Sequence, residues 1–190
     1  LPYPSPDRLV VLRFVMPTMR GIGISLTGGE LESARAATSV FEQVEAFNLS
    51  GSVSRIDGPE PERLRVARVT PGLLPMLGAR LTGEGFRPEH TAGNGAAVVV
   101  LAHEYWATRM GADPAVVGTL LRIDGEAPLR ILGILNEGFV FPTHSPTLVP
   151  QILRPLPASY LGGRGRSADA IGRLQPDVPA SAATAAVPVD

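Results

Sequence analysis

Leu9 to Phe14 (LVVLRF) is a short aliphatic run behind a proline-rich lead-in, and it predicts a buried strand. Gly28-Gly29 precede ELESARAATSVFEQVEAF, where Leu31, Ala34, Thr38 and Phe41 recur at helical spacing and predict a helix ending near Val40. Its tail is ambiguous, because VEAFNLSGSVSRI alternates like a strand. After the Asp57-Gly58-Pro59 turn, ERLRVARV alternates apolar positions with Arg63, Arg65 and Arg68, the pattern of a strand with one face in water. Pro71 opens at most a turn or two of helix, which Gly78 stops. Residues 82–95 form a polar, glycine-rich connector, and the run AAVVVLA after it is apolar on both faces, as a central strand would be.

In the next segment, LAHEYWATRMGADPAVVG, Ala102, Trp106 and Met110 recur every four residues and stack on one helix face. This spacing makes Trp106 the expected core anchor. Gly111 suits the left-handed residue that closes the helix, and Asp113 with Pro114 suits the cap and first position of a further turn. Two β runs then flank Asp124-Gly125, which predicts a tight type I′ hairpin with Pro128 opposite Leu121. NEGFVFP closes that unit with aromatic packing. ADAIGRL predicts a returning strand, and ASAATAAV a helix before a frayed end.

Composition removes several classes of chemistry. The chain has no cysteine, and its basic residues are all arginine, so thiolate, disulfide and lysine mechanisms are excluded. A formal charge of −1 and a pI near 6.4 provide no basic field for nucleic acid. No apolar run approaches the roughly 18 residues of a membrane helix. His103-Glu104 begins the H-E-x-x-H zinc signature, but Ala107 stands where the second histidine belongs, so the pair reads as exposed first-turn surface. GRGRSA (163–168) meets the loose G-x-G-x-x-A form, yet a strand rather than a helix is expected after it. His90, His103 and His144 fall in or beside loops, and no G-x-S-x-G elbow accompanies them. The residues themselves describe an α+β fragment without an assembled active site, with no catalytic, cofactor or metal residue to assign.

In order, LPYPSPDRLVVL, RVARVTPGLLPMLGARL, AAVVVLAHEYWATRMGADPAVVGTLLRIDGEAPLRILGIL, GFVFP and AIGRLQPDV resemble the MacB-like periplasmic core domain of ABC-transporter permeases of the FtsX superfamily. The large orphan permeases of acidobacteria and similar soil bacteria are the most alike. Trp106, Gly111, Asp113, Pro114, Gly118, Gly125, Gly133, Gly138, Phe139 and Pro142 fall on the family pattern, all at turn, cap or packing positions. GARLTGEGF departs from it in spacing, and residues 15–29 fit it poorly.

The resemblance implies a two-lobed α+β domain, with a mixed α/β lobe and a smaller β-rich lobe carrying a hairpin. Residues 1–85 would begin the first lobe and residues 86–160 would form the β-rich lobe, with the Trp106 helix and the 119–135 hairpin. Residues 161–190 would return to the first lobe. It further implies a non-enzymatic, periplasmic part of an inner-membrane permease, cut here from its transmembrane helices, monomeric alone and able to dock a periplasmic adaptor. The alternative is a free-standing extracytoplasmic ligand-binding domain, which requires an apolar pocket with convergent polar groups between the lobes.

Overall fold

The computed structural model describes residues 2–15, 23–143, 145–162 and 167–186. His144, residues 163–166 of the GRGRSA motif and the last four residues of the chain lie outside the described residues. After a 3₁₀ turn at Pro6–Arg8, the chain extends as β1 (Leu9–Leu12) and β2 (Phe14–Val15). β1 is an edge strand rather than a buried one, and Val11 is 56% exposed. Strands β3 (Gly23–Ile24) and β4 (Leu26–Thr27) lead into α1 (Gly28–Ala36). Thr27 and Glu30 form a reciprocal capping box there, with the Thr27 N–H donating to the Glu30 carboxylate at 2.7 Å, so the two glycines lie inside the helix.

α1 stops at Ala36, short of the expected Val40, because the following residues are claimed by β5 (Phe41–Arg55), a strand of 15 residues. β6 (Glu62–Val69) returns antiparallel to it. Then come α2 (Leu73–Met76), closed by Gly78 at φ +76°, and β7 (Leu81–Gly83). β7 corrects the sequence reading, which placed only a connector across its last two residues. It pairs antiparallel with the later β10, so residues 81–83 are held by a ladder that their polar, glycine-rich composition does not announce.

β8 (Val98–Leu101) is central as expected, lying between β10 (Leu129–Leu135) and β11 (Ile152–Pro155). α3 (His103–Arg109) follows β8 directly, β9 (Leu120–Leu121) precedes β10, and α4 (Ala158–Leu161), β12 (Ser167–Leu174) and α5 (Ala180–Ala186) complete the described chain. Among the described residues a ten-stranded mixed sheet runs β1-β12-β5-β6-β11-β8-β10-β7, with β4 on β12 and β9 on β10, and β2 pairs β3 apart from it.

The expected type I′ hairpin is corrected. Gly125 has φ +68°, but Asp124 is not among the positive-φ residues, and the Ile123 carbonyl accepts the Glu126 N–H at 3.4 Å. One left-handed residue at the second central position belongs to a type II turn. Leu129, not Pro128, lies opposite Leu121. The two arms separate because residues 122–124 are drawn to the end of β5: Ile123 bridges Arg55, and the Asp124 N–H donates to the Ser54 carbonyl at 2.8 Å.

Registers across the sheet sort the core into two faces. One face carries a cluster of Phe47, Ala67, Val69, Val100, Leu153 and Ile171 under α2 and Phe141. Phe47 and Phe141 meet edge to face, with centroids 5.4 Å apart at 88°. The opposite face carries two separate clusters. Val44, Ala46, Ala170 and Leu156 pack with α1 at one end, and Leu64, Val66, Leu101, Ile131 and Ile152 pack with Tyr105 at the other.

A register shift between Asn48 and Gly51 makes this arrangement possible. One extra residue in β5 inverts the alternation, so even-numbered Ala46 and odd-numbered Val53 serve the same face. Between the two clusters Asn48, Arg68 and Arg154 stand side by side on β5, β6 and β11. The Arg154 Nη1 donates to the Glu126 carboxylate at 2.7 Å.

Gly133 lies where β10 meets β7, and a Cβ there would approach the carbonyl oxygens of Thr82 and Glu84 to 2.8 Å. At Gly125 a Cβ would meet nothing within 4 Å, leaving only the left-handed backbone as a cost. Gly133→Ala should therefore destabilise by about 1–3 kcal/mol and Gly125→Ala by about 1 kcal/mol, measured as shifts in urea midpoint at constant m.

Candidate functional site

The helix that follows β8 is placed by its caps. α3 begins at His103 with Ala102 as its N-cap, and Ala102, Trp106 and Met110 share a face that packs against the cluster Tyr105 enters. Tyr105 is 2% exposed and is the buried anchor, whereas Trp106 is half-buried at the rim of the same cluster. Trp106 instead ties two elements together: its indole N–H donates to the Asp113 carbonyl at 2.9 Å. Gly111 at φ +69° and Ala112 at φ +54° turn the chain, and the Asp113 side chain accepts the Ala115 N–H at 2.8 Å over a 3₁₀ turn with Pro114 at its start. Gly118 (φ +89°) then releases the chain towards β9, and Gly138 (φ +74°) turns it after β10.

Beneath α3 the Tyr105 hydroxyl accepts from Arg55 Nη1 at 3.1 Å and faces the Glu62 carboxylate at 3.4 Å. Arg55 also donates through Nε to Asp57 at 2.5 Å, and Asp57 accepts the Arg122 N–H at 2.9 Å. Burial pushes the Asp57 carboxyl up, but the hydrogen bonds from Arg55 and from the Arg122 backbone outweigh it and hold the group below the usual aspartate range. Burial pushes the Tyr105 phenol up, with a partial offset from Arg55. Sequence reasoning missed this network. Its only visible signal was a tyrosine beside the tryptophan, and the partners Arg55 and Glu62 come from strands more than forty residues away.

Between α3 and the turn after β10 lies a cleft of about 560 Å³, lined by His103, Tyr105, Gly138, Phe139 and Val149 among others. Its surroundings include exposed Val140 (52%), Leu148 and Val149. Pro142 lines a neighbouring apolar recess with Tyr3 and Val11. A larger cleft, about 810 Å³, lies between α1, the start of α2 and α4. Its charged groups all have hydrogen-bond partners within the protein. Arg35 Nη1 donates to Glu32 at 2.9 Å, and Glu45 accepts from Gln43 at 2.8 Å and from the buried Thr70 hydroxyl.

Neither described histidine meets an acid. His90 accepts the Arg87 N–H at 3.1 Å through Nδ1, and His103 lies edge-on to Trp106 with centroids 5.3 Å apart. Among the described residues no three His, Asp or Glu side chains converge as metal ligands would, and no helix is long and apolar enough to cross a membrane.

Tyr105→Phe should cost about 1 kcal/mol in denaturant melts, the price of leaving Arg55 short of a partner. The Asp57 contribution has a defined sign. Its folded value is depressed, so the stability it adds is complete above the unfolded value of about 3.9 and is lost as pH falls through the folded one. Asp57→Asn should accordingly flatten the decline in urea midpoint below about pH 4.

Comparison with solved structures finds the same fold in three other domains. A domain of a permease protein from Porphyromonas gingivalis superposes with TM-score 0.71 at 19% identity, over 95% of this chain and 78% of that one. The periplasmic region of MacB from Actinobacillus actinomycetemcomitans gives 0.69 at 13% identity, covering 95% and 80%. The extracellular domain of the noncanonic ABC-type transporter YknZ from Gram-positive bacteria gives 0.65 at 12% identity, covering 94% and 88%. No curated protein matches at a significant level. The family model of the MacB-like periplasmic core domain matches residues 2–188, end to end across the described sheet, and the chain belongs to that family of periplasmic domains of ABC-transporter permeases.

Proposed function

We propose that the domain is a non-enzymatic relay in an inner-membrane export permease, passing movement of the membrane helices to an adaptor or substrate outside. The observation that carries this reading is the antiparallel pairing of β1 with β12, which puts the strands nearest the two ends of the chain side by side at one margin of a continuous sheet. Membrane helices attached there would move that margin as a unit. β5 runs from beside it to the Tyr105 network beneath α3, so a displacement is transmitted by hydrogen-bonded strands instead of being absorbed in a linker. The two lobes correspond on this reading to the two clusters of the divided face, with the long β5 common to both. The exposed valines beside α3 are the docking surface for the adaptor.

The ligand-binding alternative is less well supported, because the charged groups of the cleft between α1 and α4 are already hydrogen-bonded, Arg35 to Glu32 and Glu45 to Gln43 and Thr70. The test is export by the intact permease with its ATPase. Val140→Asp should leave the melting of the 190-residue chain within about 0.5 kcal/mol of the parent while export falls, since the residue is exposed. Undiminished export in Val140→Asp together with Val149→Asp would overturn the docking surface. Export that survives replacement of residues 9–174 by a flexible linker would overturn the relay itself.

A further inference from the structure

We infer that the polar row separating the two clusters of the divided face is a binding site for a small oxyanion, a phosphate or carboxylate, held between Arg68 and Arg154. The two arginines are register partners on the parallel strands β6 and β11, and Asn48 is the partner of Arg68 on β5. Adjacent strands lie about 4.8 Å apart, so the two side chains leave the sheet as immediate neighbours, an arrangement that costs stability for like charges. Apolar residues bound the row at both ends: Val66 and Ile152 on one side, Ala46 and Leu156 on the other.

The charges in the row do not balance. Glu126 pairs with Arg154 from a turn whose carboxylate remains 38% exposed, and Arg68 forms no ion pair with any described residue. The Arg154 side chain is only 10% exposed, and its Nε is buried with no hydrogen-bond partner among the described residues. Arg173, equally buried, has no such deficit, because it donates to the carbonyls of Met76 at 2.6 Å and Pro4 at 3.1 Å. Buried guanidinium N–H groups are rarely left unpaired, since the lost hydration is not recovered. Arg68 feels the same imbalance. Burial, and then the charge of Arg154, hold it below the usual arginine range, with Glu126 and Tyr160 offsetting this in part.

An oxyanion answers each of these features. It supplies the missing negative charge, and it accepts from the planar N–H edges of two neighbouring guanidinium groups. Asn48 donates to the Tyr160 hydroxyl at 3.0 Å and to the Ser167 carbonyl at 3.4 Å, which fixes the wall of the row on the β5 side.

The experiment is calorimetric titration of the 190-residue chain with inorganic phosphate and, in a second arm, succinate, in low-salt chloride buffer matched for ionic strength, with thermal melts in parallel. Saturable 1:1 binding and a melting midpoint that rises with the logarithm of oxyanion concentration are expected, and the tighter arm identifies the anion class. Arg68→Gln should weaken binding at least about 10-fold, while Arg87→Gln, an exposed arginine paired with Glu84, should not change it. In chloride alone Arg68→Gln should melt at or above the parent temperature, because it removes a like-charge neighbour. Glu126→Gln, at the exposed turn, should tighten binding several-fold by removing the carboxylate that competes for Arg154.

Absence of saturable binding in both arms would overturn the assignment, as would equal binding in the parent and Arg68→Gln or unchanged affinity in Glu126→Gln. A lowered melting point for Arg68→Gln in chloride, with no oxyanion-dependent rise in the parent, would show that the arginine pair is a packing element only.

Discussion

Almost every other element depends on how the 15 residues of β5 are used. A strand of that length spans roughly 50 Å, more than one small hydrophobic cluster can cover. The extra residue between Asn48 and Gly51 resolves the problem by inverting the pleat halfway along, so the strand serves one cluster with Val44 and Ala46 and another with Val53 on the same face. The other face carries one apolar layer around Phe47 and turns polar towards the end of β5, where Ser52 and Ser54 lie opposite the exposed Arg65 and Arg63. A straight β5 would turn Val53 away from Leu64, and the cluster around Tyr105 would lose its contact with the strand.

Local chemistry made much of this legible. Gly111, Asp113 and Pro114 end one helix and start the next turn through backbone conformations and a cap that depend on few neighbours, and the structure has them in those roles. β8 was readable because a strand flanked on both sides leaves no position for a polar residue. The misreadings share a cause, which is competition from distant partners. Phe41 continues the helical spacing of Leu31 and Ala34, yet six residues of β12 pair with β5, and a helix there would leave that ladder unmade. Asp124-Gly125 favours a tight hairpin in isolation, but the end of β5 offers hydrogen bonds that pull the arms apart. Ala102, Trp106 and Met110 do face the cluster as the stripe suggested, but Tyr105, the next position round the helix, takes its centre and leaves Trp106 at the rim.

The arginines show a different limit. ERLRVARV reads correctly as a strand with a wet face, and Arg63 and Arg65 are exposed. Arg68 belongs to the other face, where it meets Arg154, an isolated charge in the apolar run QILRPLP. A lone arginine in such a run signals a buried charge, but its neighbour is set by a parallel pairing between strands more than eighty residues apart, which no local pattern encodes. The candidate docking surface is equally non-local, since Val140 and Val149 are brought to α3 by the turn after β10 and the approach to β11.

The position of β12 has a consequence for how the chain reaches this state. Arg8 donates to the carbonyl of Leu174, 166 residues further on, and among the described residues β12 is the only strand joining β1 to β5. While the polypeptide is still being exported, β5 therefore presents an unpaired edge along its first half, and β1 has nothing to join. Pairings so far apart in sequence are slow to form, and an open edge is a template for wrong partners. The short β1 with prolines at positions 2, 4 and 6 and the polar tail of β5 reduce that hazard but do not remove it. The domain thus closes from its last strand, and until it does the β5 margin is its most exposed line of backbone.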